Sequence, residues 1–230
     1  RQMCIRDSWY PSPNIANINR GPSSPWSMIF SMTTSWAKRR KGVNIKNIII
    51  DAELSGKKIE NLNLIPSNIK LATIIEQISG TLYREKILKN HLDRIDGEYD
   101  YVVLDCPPTL GILAVNAIYC ANSIIVPTSF GRYSLDGMAD LLGAVREIKA
   151  GHNYNFFVLK NLYEKRNSQT NKYINEQLED LKENTFATTI RKNEAINQSQ
   201  IINLPVQVFN PASKGAQDFN LLTEEVIHNA

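Results

Sequence analysis

The feature that most constrains this chain is a series of short, unbroken apolar runs separated by stretches of helix length. The runs are 101–104 (YVVL), 123–127 (SIIVP), 155–160 (NFFVLK), 186–190 (FATTI) and 205–209 (PVQVF). A strand with one wet face alternates apolar and polar residues, whereas an unbroken apolar run is covered on both faces. Helical patterns at 112–121, 134–149, 169–183 and 213–228 fall between and after these runs. A longer one, 71–95, carries Ile74, Ile75, Ile78, Leu82, Ile87, Leu88, Leu92 and Ile95 at three- and four-residue spacing, with Gly80 as its expected bend. Strands alternating with helices predict an α/β fold, a doubly wound, mostly parallel sheet with helices on both faces. In such sheets ligands bind beyond the carboxyl ends of the strands, which directs attention to the loops at 105–111, 128–133, 161–168 and 190–193.

Length and charge narrow the reading. The 230 residues suit one α/β domain. Lys and Arg number 26 against 23 Asp and Glu, a surplus too small to indicate a nucleic-acid partner without local patches. Cys4, Cys106 and Cys120 have no metal-ligand spacing and are odd in number, which supports neither a disulfide framework nor a zinc site and fits a reducing cytosol. No apolar run nears the roughly 18 residues of a spanning helix, and no basic-then-apolar leader is found, so no membrane partner is expected. Residues 1–44 mix Pro, Ser, Asn and Trp without a sustained period and are expected to be irregular or non-native, leaving 45–230 as the folded domain. Within IENLNLIPSN, residues 62–65 read as a short strand stopped by Pro66.

The densest chemistry lies in YDYVVLDCPPTLG, residues 99–111. Asp105 closes the run 101–104, so its carboxylate is expected at the ligand edge of the sheet. An acid there can hold Mg2+ through a water while the ion neutralises phosphate oxygens. Pro107 and Pro108 remove two backbone donors and fix φ, which keeps the following loop extended. Thr109 and Gly111 then offer a hydroxyl and an unencumbered backbone. The alternative is local: Asp105 as the cap of the helix starting near residue 112, or as an Asx turn.

Residues 99–113, YDYVVLDCPPTLGIL, resemble the Walker B and switch region of the ParA/Soj family of deviant Walker ATPases, whose pattern runs approximately YDYIIIDCPPSLGLL. Four more segments are similar to the family in the same order: IENLNLIPSNIKLA (59–72), NAIYCANSIIVPTSFGRYSLDGMADLL (116–142), YEKRNSQTNKYINEQL (163–178) and TTIRKNEAINQSQIINLPVQVFNPASKGAQDF (188–219). The resemblance implies a P-loop NTPase-like fold, with ATP and Mg2+ as cofactors. It also implies a homodimer, sequence-nonspecific DNA binding, stimulation by a ParB-like partner, and a cytoplasmic, nucleoid-associated protein that partitions a chromosome or plasmid. Residue by residue, it implies Asp105 as the catalytic and metal-holding acid, with Pro107, Pro108, Thr109, Gly111 and Asn161 near the nucleotide. The loop at Pro211 and Ser213 lies where related ATPases contact adenine, and Ser213 reads equally well as the N-cap of the last helix. Arg191 and Lys192, with Lys160, Lys165 and Arg166 beside them, are the candidate DNA contacts, set against a reading as ordinary solvated charges. One departure is Ala195, where Soj-like members carry an Arg.

The family also needs a phosphate-cradling loop of the form KGGxGKT, and none is written in the 230 residues. KGVNIKN (41–47) and SGKK (55–58) lack its glycines or its hydroxyl residue and read as surface segments. The second acidic motif, DxDPQ, is not found either; NINRGPS (18–24) occupies a plausible place without its chemistry. The expectation is a member truncated or damaged at its amino terminus, with the first strand and P-loop missing and no hydrolysis by the chain as written. Two other readings are a nucleotide-independent adaptor paralogue and a MinD-like membrane-cycling ATPase. The latter calls for a basic amphipathic carboxyl-terminal helix, where this chain has LLTEEVIHNA. His91, His152 and His228 are dispersed and receive no catalytic role. Cys106 reads as a small buried residue, since a nucleophile needs a nearby base.

Overall fold

The computed structural model describes residues 2–6, 27–31, 44–66, 71–107, 109–129 and 132–229, with backbone alone at 2–6, 27–31, 71–74 and 132–136. Its strands are β1 (Gln2–Arg6), β2 (Ser27–Ser31), β3 (Ile50–Leu54), β4 (Lys57–Ile65), β5 (Tyr101–Cys106), β6 (Ser123–Ser129), β7 (Asn155–Tyr163) and β8 (Thr185–Arg191). Its α-helices are α1 (Leu71–Ile78), α2 (Ile87–Leu92), α3 (Ile112–Cys120), α4 (Arg132–Ile148), α5 (Ser168–Gln177), α6 (Glu194–Ile201), α7 (Val206–Phe209) and α8 (Lys214–Asn229). Where length suggested one domain, contacts gather the chain into two compact units. One is Arg1–Arg6, Arg20–Ile124 and Val145–Asn155, and the other is Asp7–Asn19, Ile125–Ala144 and Phe156–Ala230.

In the first unit the strand order is β3-β4-β2-β5-β1. β5 pairs in parallel with β1 on one edge and β2 on the other, and β2 pairs in parallel with β4. The expectation that residues 1–44 are irregular is therefore corrected at two places, QMCIR and SMIFS. Each run is too short to display a period between its Pro- and Ser-rich flanks, yet β5 has backbone groups on both edges that require partners when buried. β3 joins β4 antiparallel through a two-residue turn in which Ser55 has φ 52° and Gly56 φ 75°. Both central residues at positive φ is the hairpin geometry that matches strand twist, so in SGKK Ser55 and Gly56 make the turn and Lys57 and Lys58 begin β4. The short strand expected at 62–65 is the end of the nine-residue β4. The single helix expected over 71–95 is instead α1, a turn at Ser79–Gly80, a 3-10 turn (Arg84–Lys86), α2 and a second 3-10 turn (Asp93–Ile95). Ile65, Leu88, Leu92, Leu104 and Ala117 are fully buried here.

In the second unit the order is β6-β7-β8, with β7 and β8 parallel. β6 is buried along almost its whole length, as its unbroken apolar run requires. Residues 205–209, expected as a strand, are a single helical turn. VQVF is compatible with period 2 and period 3.6 alike, and Pro205 accepts from the N–H groups of Val208 and Phe209. Val206 is then buried against Ala195 and Ala216, with Phe209 and Phe219 beside them. Glu194–Ile201, read as no element in the sequence, is a helix capped by Asn193, whose side chain accepts from the Ala195 N–H at 2.9 Å. Ala195 itself is part of that core.

Helix α8 starts as expected at Ser213, whose Oγ accepts from the Ala216 N–H at 3.1 Å. Its next residue but one, Gly215, is buried, and a Cβ built there would stand 2.6 Å from Ile196 Cγ1 and 2.9 Å from Ile196 Cδ1. The glycine lets α8 approach α6 more closely than any other residue would permit. Gly215→Ala is expected to cost about 1–3 kcal/mol through overpacking, seen as a lower urea midpoint with unchanged m-value. Ile196→Ala in the same chain should recover most of that difference; an undiminished loss in the double variant would refute the packing account.

Candidate functional site

Asp105 is the penultimate residue of β5, one place inside the strand where the sequence reading put it just at the end. Its backbone is in register with Ile5 of β1 and Ser31 of β2. Burial along β5 alternates, with Val102, Leu104 and Cys106 enclosed and Tyr101, Val103 and Asp105 half-buried. Period 2 therefore sends the Asp105 side chain to the face opposite Leu104. Pro107 is half-buried and Thr109, Leu110 and Gly111 are exposed, while Pro108 lies outside the described residues. Cys106 is buried, as read.

The helix that follows settles one alternative. Gly111 is the N-cap of α3, at φ −89° and ψ −177°, and no side chain caps it. Asp105 is thus not the cap. Nor does the fold demand glycine at 111, because that backbone is ordinary extended geometry and a Cβ there would meet nothing within 4 Å. The amino end of α3 presents its N–H groups beside open space with no acidic residue in its first turn, an arrangement that favours an anion.

The second unit holds the remaining candidates. Asn161 was expected beyond β7 and lies inside it; its Oδ1 accepts from the Leu162 N–H at 2.9 Å. Leu162 has φ 56°, and the β7–β8 register shifts at this point. The amide supports a local kink, which is turn chemistry. Arg191 is the last residue of β8, and its guanidinium grips the buried Asp218 of α8. Nε donates to both carboxylate oxygens, at 3.1 and 2.9 Å, Nη2 donates to Oδ1, and the Arg191 backbone N–H reaches Oδ2 at 3.0 Å. Hydrogen bonding to Asp218 holds the guanidinium above its usual pKa. Lys192 donates to Glu164 Oε1 at 2.8 Å, and Arg166 Nε donates to Glu164 Oε2 at 2.7 Å. These contacts, Lys192 first, hold the Glu164 carboxyl below its usual pKa. The basic rim is therefore organised around acids, which neither the DNA-contact reading nor the solvated-charge reading anticipated.

Two organising residues escaped the sequence reading. Asp218 is the one acid in SKGAQDF, beside Gly215 and Ala216, which are buried, and a buried carboxylate requires a partner. Asn116 is the one polar residue buried in α3. A helix apolar on every side is enclosed, so an Asn within it must be fully bonded; that composition was the available signal.

Comparison with known proteins gives the class and then the family. The solved structure of a candidate plasmid partition protein from Borrelia burgdorferi bound to AMPPNP superposes with a TM-score of 0.74 at 18% identity, covering 100% of this chain and 99% of that one. This likeness, together with the parallel strand pairing, defines an α/β P-loop NTPase fold. Residues 28–158, more than half of the chain, match the family model described as an AAA domain; the match begins inside the segment expected to be non-native. The sporulation initiation inhibitor protein Soj of Bacillus subtilis is 30% identical over 174 residues, 74% of this chain and 69% of that protein. The chromosome-partitioning ATPase Soj of Treponema pallidum is 25% identical over 181 residues, 77% of this chain and 72% of that protein. The chain belongs to the ParA/Soj family of P-loop ATPases.

Two measurements test the charge network. Arg191→Ala leaves the Asp218 carboxylate, 4% exposed, without its guanidinium, and should lower stability by roughly 2–3 kcal/mol, below the full cost of breaking a buried pair because Arg191 is 40% exposed. Lys192→Ala should lower the melting temperature only slightly at neutral pH, because the pair is exposed, and the two proteins should converge by pH 3. Because the folded pKa of Glu164 is depressed, its stabilising contribution is present above the ordinary Glu value of about 4.3 and is lost as pH falls through the lower folded value. Melting temperatures from pH 6 to pH 3 should therefore fall less steeply in Lys192→Ala than in the parent; parallel curves would exclude Lys192 as the main cause of the shift.

Proposed function

We propose that this chain is the switch-bearing part of a ParA-like partitioning ATPase, acting on a chromosome or plasmid. The single observation that supports it best is the half-buried Asp105 at the end of a doubly paired strand, followed by Pro107 and the uncapped start of α3, in a chain of this family. The related proteins named above are a chromosome-partitioning ATPase and a protein crystallised with AMPPNP.

Asp105 and Thr109 suit the metal side of a Mg2+–nucleotide group, whose phosphate cradle is not among the 230 residues. Among the described residues no cluster of three or more His, Cys, Asp or Glu could cage a metal. A single strand-end carboxylate is the donor set of an ion that keeps its waters and takes its other ligands from phosphate. Asp105, with the Thr109 hydroxyl, would hold that group, and the group when bound would neutralise phosphate charge. The chain's own part is positioning: β5 fixes the carboxylate, Pro107 limits the backbone, and the first turn of α3 turns its N–H groups toward an anion. Asn161 at the nucleotide base and Lys192 at DNA complete the reading, with Arg191 reaching DNA only from its Asp218 pair. A homodimer, a ParB-like stimulating partner and nucleoid association belong to the same proposal. Among the described residues no helix is long and apolar enough to cross a membrane.

A second reading is a nucleotide-independent adaptor paralogue of the same family. Binding of the chain to unrelated duplex DNAs, with and without Mg-ATP, separates the two. Under the partitioning reading, affinity is equal across sequences, falls at least about tenfold between low and moderate salt, and weakens in Lys192→Ala at nearly unchanged melting temperature. An absence of DNA binding, or binding indifferent to salt, would favour the adaptor.

A further inference from the structure

Asn116 is fully buried at the middle of α3, and its side chain makes three hydrogen bonds. Its Oδ1 accepts from the Leu88 N–H at 3.0 Å, and its Nδ2 donates to the carbonyl oxygens of Arg84 and Ile112, both at 2.9 Å. Ile112 is the first residue of α3, directly after the exposed residues 109–111. Arg84 and Leu88 belong to the 3-10 turn and helix on the other side of the bond set. One amide therefore ties the start of the switch helix to a separate stretch of chain.

That stretch is unusual in its own right. Leu82 is 83% exposed and Tyr83 68% exposed, and Tyr83 adopts φ 57° and ψ 33°, left-handed geometry that a bulky residue rarely takes. Arg84 Nη1 donates to the Ser79 carbonyl oxygen, and the Lys86 ammonium sits 5.2 Å from the Tyr83 ring centroid and 5.8 Å from that of Tyr119 on α3. A strained, outward apolar turn is thus held in place by contacts to the helix that the 109–111 loop initiates.

We propose that Asn116 is a positioning residue that couples the 109–111 loop to the 82–86 turn, making that turn the outward readout of the loop's state. The coupling rests on the reading of 107–111 as a nucleotide-responsive loop. Its physical basis is that a buried amide and the backbone groups it serves are each costly to leave without partners. If Ile112 shifts when the loop changes, Asn116 shifts with it and the Arg84 carbonyl and Leu88 N–H must follow or lose their bonds.

Hydrogen–deuterium exchange on the full chain tests this. Gly111→Pro perturbs the loop by fixing φ near −65° and restricting Leu110. It should accelerate exchange over residues 82–92 about tenfold in the parent chain, and less than twofold when Asn116→Leu, which matches the volume and removes the bonds, is already present. Equal acceleration in both backgrounds, or none in the parent, overturns the coupling. Should Asn116→Leu fail to fold, Asn116→Asp serves in its place, because it keeps an acceptor for Leu88 and loses both donors. Adding Mg-ATP to the parent tests the underlying reading separately: no change over residues 109–115 sinks the nucleotide-responsive loop, while the Gly111→Pro comparison still decides whether Asn116 couples the two segments.

Discussion

The candidate site depends first on β5 being hydrogen-bonded along both edges. With β2 on one side and β1 on the other, the strand cannot slip, since a shift by one residue would send Leu104 to the half-open face and Asp105 to the closed one. The carboxylate is therefore placed by backbone pairing several residues long. The two prolines and the absence of a capping side chain on α3 matter only because of that placement. Pro107 restricts the backbone as it leaves the strand, and no side chain caps the start of α3.

A second organising interaction belongs to the other unit. Asp218 is buried on α8 and is answered by the Arg191 side chain and backbone together, so the end of β8 and the last helix are held by one carboxylate. Glu225 repeats the pattern farther along α8, accepting from the backbone N–H groups of Ala187 and Thr188 at 2.6 and 2.9 Å. Both acids accept from backbone N–H groups of β8, the last strand in its order. The charges at this end of the sheet are thus shared between holding the helix and facing solvent, and Lys192 is the one whose packing role is smallest.

Legibility in the sequence followed the length and isolation of each signal. The apolar runs of β5 to β8 announced themselves as strands, although only β6 is buried along almost its whole length, and the order of segments around DCPP and SKGA identified the family. The two strands in residues 1–44 were invisible because five residues among prolines and serines carry no period; their pairing comes from what β5 offers them. PVQVF fitted two periods, and the choice between them was made by the packing of Val206 against Ala195 and Ala216. Asn161 was placed beyond its strand because the kink at Leu162, supported by the Asn161 amide, is not encoded in any hydrophobic pattern. Arg191 was visible as a charge, but its partner 27 residues away was not.

By itself the sequence determined the α/β class, the family, and the position of the strand-end acid, because apolar periodicity, turn residues and a contiguous motif are local properties. Only the tertiary structure decided which polar groups are committed. Asp218 to Arg191, Glu164 to Lys192, and Asn116 to Arg84 and Leu88 are pairings between segments distant along the chain. Burial makes the Asp218 and Asn116 pairings obligatory, and burial is a property of the packed whole.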